Sequence, residues 1–193
     1  MQVMKFGGTS VGTPDRMKSI VPLITGEERV VVVLSALSGT TNSLIEISEL
    51  IYAGKTEEAV SKNEALRSLY RQVVSDLYST EVFKKEGNEL IDSHFDYIGE
   101  FIAKAFTKLH EKAIVARGEL LSTALFHNLL RERGIGSVLL PALNFMRIDK
   151  DGKIVKFITN DKCASGTGRF LEVMARLINV SLDDLGELSS RAK

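Results

Sequence analysis

Lys5-Phe6-Gly7-Gly8-Thr9-Ser10-Val11-Gly12 follows a short apolar start, Met1 to Met4, and no other stretch limits the fold as much. The apolar start reads as a buried first strand that ends in a lysine and two glycines. Paired glycines let the backbone turn sharply and come close to an anionic group. The amides of such a turn, and of the helix after it, point at the anion. Lys5 adds a full positive charge. The GxxxxGK[ST] order of the common P-loop is absent, and so is GxGxxG. A bare Gly-Gly turn after a strand needs no ligand. Lysine, paired glycine and Thr-Ser together favour phosphate.

The next segments fit a parallel α/β unit. Thr13-Pro14 reads as a helix N-cap followed by proline at the first helical position. Met17, Ile20, Val21 and Ile24 then recur at helical spacing, and Gly26 is a stop. After Arg29 come four valines and Leu34, a run that reads as a central parallel strand buried on both faces. Strand, helix and strand make a βαβ unit with an expected right-handed crossover. A length of 193 residues with 44% hydrophobic content supports a domain with a real core. Basic and acidic residues balance at 25 each, which gives no reason to expect a nucleic acid or an acidic membrane as partner. Charge from Lys5 onward argues against a signal peptide, and no apolar run reaches the roughly 20 residues of a membrane span. With Cys163 as the single cysteine, an intrachain disulfide is excluded, and a cytoplasmic location is expected.

Ser35-Ala36-Leu37-Ser38-Gly39-Thr40-Thr41-Asn42 leaves the carboxyl end of the valine strand, where open α/β sheets bind ligands. On its own it reads as a capped loop, with a helix beginning near Ser43. Residues 44 to 110 read as largely helical, with breaks near Gly54, Ser79-Thr80 and Gly87. Leu66, Leu69, Tyr70, Val73, Val74 and Leu77 form one apolar stripe, and Phe95, Ile98, Ile102, Ala105, Phe106 and Leu109 another. His94 and His110 have no metal-ligand spacing to any partner. Lys112 to Arg133 reads as one helix ended by Gly134 and containing Gly118-Glu119-Leu120-Leu121-Ser122. Read from the residues alone, Glu119 is a surface carboxylate. Ser137 to Leu140 reads as a third buried strand.

These motifs, KFGGTSVG near the N-terminus, the S-A-x-x-G-x-T-N pattern at Ser35 to Asn42 and G-E-x-x-S at Gly118 to Ser122, closely resemble aspartokinases of the amino acid kinase family. The resemblance covers residues 1 to about 149. It implies a three-layer α/β sandwich with a mainly parallel sheet, like the N-terminal lobe of amino acid kinases, and a helical insertion within residues 44 to 110. It implies transfer of the ATP γ-phosphoryl group to the side-chain carboxylate of L-aspartate, the first step towards lysine, threonine and methionine. Lys5 would neutralise the transferring group, and Gly7, Gly8, Thr9 and Ser10 would hold phosphate oxygens. Mg²⁺ would bridge the phosphates. Thr41, with Ser35 nearby, and Glu119, facing the substrate ammonium, would hold aspartate.

Near Asp149 the pattern changes. A G-R-G-G-S-D-like motif, which positions aspartate and phosphates in the family, does not occur in the 193 residues. Neither do the family's nucleotide-base segments. Instead Asn160-Asp161-Lys162-Cys163-Ala164-Ser165-Gly166-Thr167-Gly168-Arg169-Phe170-Leu171-Glu172 resembles the ATPase activators of 2-hydroxyacyl-CoA dehydratases and benzoyl-CoA reductases. That likeness runs from about Gly152 to Lys193, so the expected organisation is a partial kinase domain, 1–149, and an activator-like α/β fragment, 150–193. In the activator family the matching cysteine serves a [4Fe–4S] cluster. One cysteine per chain gives two in a dimer where a cubane takes four thiolates, so Cys163 reads better as a free thiol. The primary expectation is therefore an aspartokinase crippled by truncation. The alternatives are a catalytically inactive binding or assembly fragment and an iron–sulfur ATPase activator. The sheet is expected to expose an edge or apolar face, covered by Ile154 to Ile158 or by a second copy in a homo-oligomer.

Overall fold

In the computed structural model the described residues are 2–26, 29–102 and 104–141. The chain divides into two units, Met1–Leu139 and Leu140–Lys193, and all the described strands and helices lie in the first. The expected turn at Asp149 to Gly152, the strand Ile154 to Ile158, Cys163 and the helix beyond it lie outside the described residues.

Strand β1 (Gln2–Phe6) pairs in parallel with β2 (Val30–Leu34), with Val3 opposite Val31 and Lys5 opposite Val33. The described residues thus combine parallel strands with helices, the mixed class expected. Burial on both strand faces did not follow. Alternation puts Val3, Lys5, Val31 and Val33 on one face, and the three valines are 58%, 39% and 44% exposed. The other face carries Phe6, Val32 and buried Leu34, packed on the core. A run of valines encodes a preference for burial but cannot supply the layer that covers it. Ser137 to Leu140 is also not a strand: it has no ladder partner among the described residues, and Val138 is 81% exposed.

Helix α1 (Pro14–Ile24) begins as its sequence dictates, with the Thr13 hydroxyl accepting from the Arg16 amide at 3.3 Å and Pro14 at the first position. Met17, Ile20 and Val21 are buried. Helix α2 (Thr40–Tyr52) starts three residues before Ser43, behind Gly39 at φ 82°. Its end is a Schellman cap: Lys55 N–H reaches Leu50 O and Gly54 N–H, at φ 69°, reaches Ile51 O.

Helices α3 (Thr56–Leu77) and α4 (Glu81–Ile102) form an antiparallel hairpin turning at Ser79-Thr80. Leu66, Tyr70, Val73, Val74 and Leu77 are buried as the stripe requires, whereas Leu69 is exposed. Gly87 is no break. It lies buried inside α4, where an added Cβ would sit 2.7 Å from Tyr78 Cε2 and 3.0 Å from Val74 Cγ2, so its role is close helix contact. The second stripe ends with α4 at Ile102, and Leu109 is exposed.

The expected single helix from Lys112 to Arg133 is two. Helix α5 (Lys108–Val115) stops at Ala116, and α6 (Arg117–Glu132) starts directly after it. Gly134 closes α6 in a second Schellman cap, with Ile135 N–H on Leu130 O and Gly134 N–H on Arg131 O. Glu132 at that end accepts from Ser79 N, Thr80 N and Thr80 Oγ1 at 2.8–2.9 Å, tying α6 to the α3–α4 turn. Tyr78 Oη adds a bond to Leu125 O at 2.8 Å. These ties fix α6 at its C-terminal end, so the position of its N-terminal end is set by what it meets near β2.

Candidate active site

The Gly-rich loop and the loop after β2 leave the same ends of two paired strands. Ser35 N–H donates to Phe6 O at 3.0 Å, which carries the ladder one step past Leu34. The loops then touch through glycine. A Cβ on Gly8 would meet Ala36 O at 3.3 Å, and one on Gly12 would meet Gly8 O at 2.9 Å and Ser38 Cβ at 3.1 Å. A larger residue at position 12 has no room, which is why the third glycine of the motif matters as much as the paired Gly7 and Gly8.

Within the first loop, Ser10 N–H and Val11 N–H both turn onto Gly7 O, at 2.8 and 3.2 Å. These two amides close the turn, so the expected ring of outward amides is smaller than the sequence suggested. Thr9 and Ser10 are exposed, and buried Val11 anchors the turn. Arg16 on α1 donates to Thr9 O at 2.7 Å. A cleft of about 370 Å³ lies beside this loop, lined by Phe6, Thr9, Ser10, Arg16, Ser19, Ile20 and Leu23. It includes Thr9 and Ser10 but none of Lys5, Ser35, Thr41 or Glu119.

Helix α6 meets the loop after β2 through its first turn. Gly118 is buried, and a Cβ there would stand 2.9 Å from Ala36 Cβ and 3.2 Å from Thr40 Cγ2. One turn on, the buried Ser122 hydroxyl donates to Ser35 O at 2.7 Å, with Glu119 O at 3.2 Å. The first turn of α6 is therefore pressed on the Ser35–Thr40 segment, and Glu119 rides on that turn, exposed. Thr41 is half-buried in the first turn of α2, not in the loop. Lys5 is exposed on β1.

Two contributors were not singled out from sequence. Thr40 is buried and shares a 2.8 Å hydrogen bond with Tyr70 Oη of α3. Burial raises the Tyr70 phenol far above its usual value; the Thr40 bond opposes this and the Glu119 carboxylate adds to it. Glu119 is thus felt at the Thr40–Tyr70 pair. Gly118 and Ser122 were read as part of a motif, without their packing role. The signal for that role was the small residue four positions before a serine on a helix otherwise lined with leucine.

Among the described residues, no group of three or more His, Cys, Asp or Glu is placed to hold a metal ion. None of the described helices is long and apolar enough to cross a membrane.

The amino acid kinase family model matches residues 1–184, and the chain belongs to that family. It is 34% identical over 134 residues to lysine-sensitive aspartokinase 3 of Escherichia coli K12, covering 69% of this chain and 29% of that protein. The solved structure of E. coli aspartokinase III in complex with aspartate and ADP superposes with a TM-score of 0.65 at 29% identity, covering 94% of this chain and 39% of that one. A separate likeness, 55% identity over 47 residues, is to the activator of lactoyl-CoA dehydratase of Anaerotignum propionicum, covering 24% of this chain and 18% of that protein. The chain thus spans well under half the length of each of these proteins.

Proposed function

We propose that this chain carries the aspartate and phosphate site of an aspartokinase. The observation that carries the reading is the pressing of α6 onto the Ser35–Thr40 segment through Gly118 and Ser122, beside the glycine loop. Support also comes from the aspartokinase III complex, which holds aspartate and ADP. In the proposed reaction a side-chain carboxylate oxygen of L-aspartate attacks the γ-phosphorus of ATP. The bond to the β-bridging oxygen breaks, ADP leaves, and aspartyl phosphate forms. No base is needed, because the attacking carboxylate is already ionised near neutral pH.

Each residue has a positioning or charge role, as phosphoryl transfer requires. Lys5 offsets negative charge on the transferring group, and Gly7, Gly8, Thr9 and Ser10 receive phosphate oxygens. Glu119 takes the substrate ammonium, with Thr41 and Ser35 holding the rest of aspartate. Mg²⁺ fits this site only through the nucleotide, since no acidic cluster is placed to hold it among the described residues. Its ligands would be phosphate oxygens and water. The proposed location is the cytoplasm.

Turnover by these 193 residues is expected to be close to background. They contain no G-R-G-G-S-D-like motif, and preorganised donors of that kind are each worth roughly 10²–10³ in rate. The proposed organisation is a partial kinase domain followed by an activator-like segment from about residue 150. A second reading, a binding or assembly fragment without turnover, is favoured by the exposed Val3, Val31 and Val33. An aspartyl-hydroxamate assay with Mg-ATP separates the outcomes, with Lys5→Ala as control. Low but Lys5-dependent hydroxamate supports the kinase reading. No Lys5-dependent product supports the second. Turnover near the roughly 10 s⁻¹ of a median enzyme contradicts the crippling.

A further inference from the structure

Arg117, the first residue of α6 and the residue after the Ala116 cap of α5, has its Nε buried without a hydrogen-bond partner. Unsatisfied groups of this kind mark strained or functional positions. What holds Arg117 is a ring face: the guanidinium carbon lies 3.6 Å from the centroid of Tyr97 on α4. Tyr97 meets Phe101 edge-on at 5.0 Å, and Phe101 lies 4.8 Å from His110 of α5. The cation is thus backed by rings from both α4 and α5, at the Ala116 junction where α5 gives way to α6.

The residues after Arg117 explain why this hold matters. Gly118 has no side chain to fix the turn, and its close approach to Ala36 and Thr40 leaves no slack. Glu119 follows directly. The rotation of the first turn of α6 about its axis is therefore set on one side by the Ser35–Thr40 segment and on the other by Arg117 on Tyr97. We propose that Arg117 is a positioning residue: stacked on Tyr97, it aims Glu119 and so sets affinity for the substrate ammonium, without touching the phosphate side. This rests on the aspartate reading above. The phosphate loop meets the same segment through Gly8 and Gly12 but has its own ties in Arg16 and the Thr13 cap, so disturbing Arg117 is expected to leave it in place.

The test uses the full chain with Arg117→Met, which keeps an apolar stem and removes the cation, and with Tyr97→Leu, Tyr97→Phe and the Arg117→Met/Tyr97→Leu double variant. Titration calorimetry is run with L-aspartate and, separately, with Mg-ATP, alongside amide exchange at Leu120 to Ser122. Arg117→Met and Tyr97→Leu are each expected to weaken aspartate binding about tenfold, in line with a partly desolvated cation–π contact. The double variant should lose little more than either single one, because both remove one contact. Tyr97→Phe, which keeps the ring face, should stay within about twofold of the parent, and Mg-ATP affinity should hold throughout. Exchange at Leu120 to Ser122 should quicken while α3 is unchanged. Unaltered aspartate affinity in Arg117→Met, an equal loss for Mg-ATP, or additive losses in the double variant would overturn the proposal. A parent chain that binds no aspartate sinks the aspartate reading instead. Exchange then decides the positioning role alone: quickening confined to Leu120–Ser122 supports it, and none, or quickening everywhere, overturns it. Should Arg117→Met fail to fold, Tyr97→Leu tests the same contact from its other side.

Discussion

The hydroxyl of Ser122 donates to the carbonyl of Ser35 at 2.7 Å, joining residues 87 apart in sequence across the face where α6 meets the loop after β2. Ser122 is fully buried. Ser122→Ala removes this donor and is expected to cost about 1–3 kcal/mol, the range for stranding a buried polar group. Thr123→Ala, which removes an exposed bond to Glu119 O, should change stability by less than about 0.5 kcal/mol. Urea unfolding checks both: the Ser122 midpoint drops with an unchanged slope, and the Thr123 midpoint barely moves. Equal midpoints would remove Ser122 as the clamp.

Two glycines of α4 should respond oppositely to alanine. At Gly99 an added Cβ meets nothing within 4 Å, so the better helix propensity of alanine should stabilise by about 0.5–1 kcal/mol. At Gly87 the Cβ would be 2.7 Å from Tyr78 Cε2 and 3.0 Å from Val74 Cγ2, and overpacking of about 1–3 kcal/mol outweighs that gain. Thermal melts of the two variants should therefore move in opposite directions. A stabilised Gly87→Ala would mean that α3 and α4 are less closely packed than described.

His94 predicts an acid sensitivity. Burial, and secondarily the nearby Arg117 charge, lower its pKa from 6.5 to about 4. The fold favours neutral imidazole, so the unfolded chain binds more protons between these values. Stability is fully present above about pH 6.5 and is lost as pH falls towards 4. At about 1.4 kcal/mol per pH unit the ceiling is about 3 kcal/mol. His94→Leu should flatten the stability profile over that window in denaturant titrations at a series of pH values. An unchanged profile would show that other groups carry the dependence.

Local signals in the sequence were reliable where the cause was local. Thr13-Pro14 capped α1, Gly54 and Gly134 ended their helices, and the turn at Ser79-Thr80 fell where expected. Errors arose where a partner elsewhere decides. Gly87 looks like a break until Val74 and Tyr78 are beside it. The stop at Ala116 carries neither glycine nor proline, so no local signal announces it. The valine strand announces burial, yet two of its four valines, Val31 and Val33, are exposed. The site followed the same rule. Its motifs were readable as strings, whereas the contacts of Gly12 with Ser38 and Gly118 with Ala36 were not.

Lys5 on β1 and Lys18 on α1 should separate binding from folding. Lys18 donates to Asp76 O at 2.6 Å and ties α1 to α3. Lys18→Ala is expected to lower stability by up to about 1 kcal/mol and leave Mg-ATP binding alone. Lys5→Ala should weaken Mg-ATP binding about tenfold or more, as the loss of a charge-assisted contact to phosphate would. Comparable affinities for both variants would count against Lys5 as the phosphate-side cation.

The Ser35–Thr40 segment and the first turn of α6 form the proposed aspartate site, and direct titration of the purified chain with L-aspartate tests it best. The expected result is a saturable one-site isotherm that weakens about tenfold or more in Glu119→Gln, since a charged hydrogen bond contributes roughly 1.5–3 kcal/mol. Mg-ATP affinity should not change in that variant. No heat from L-aspartate, or an isotherm that Glu119→Gln leaves untouched, would contradict the account.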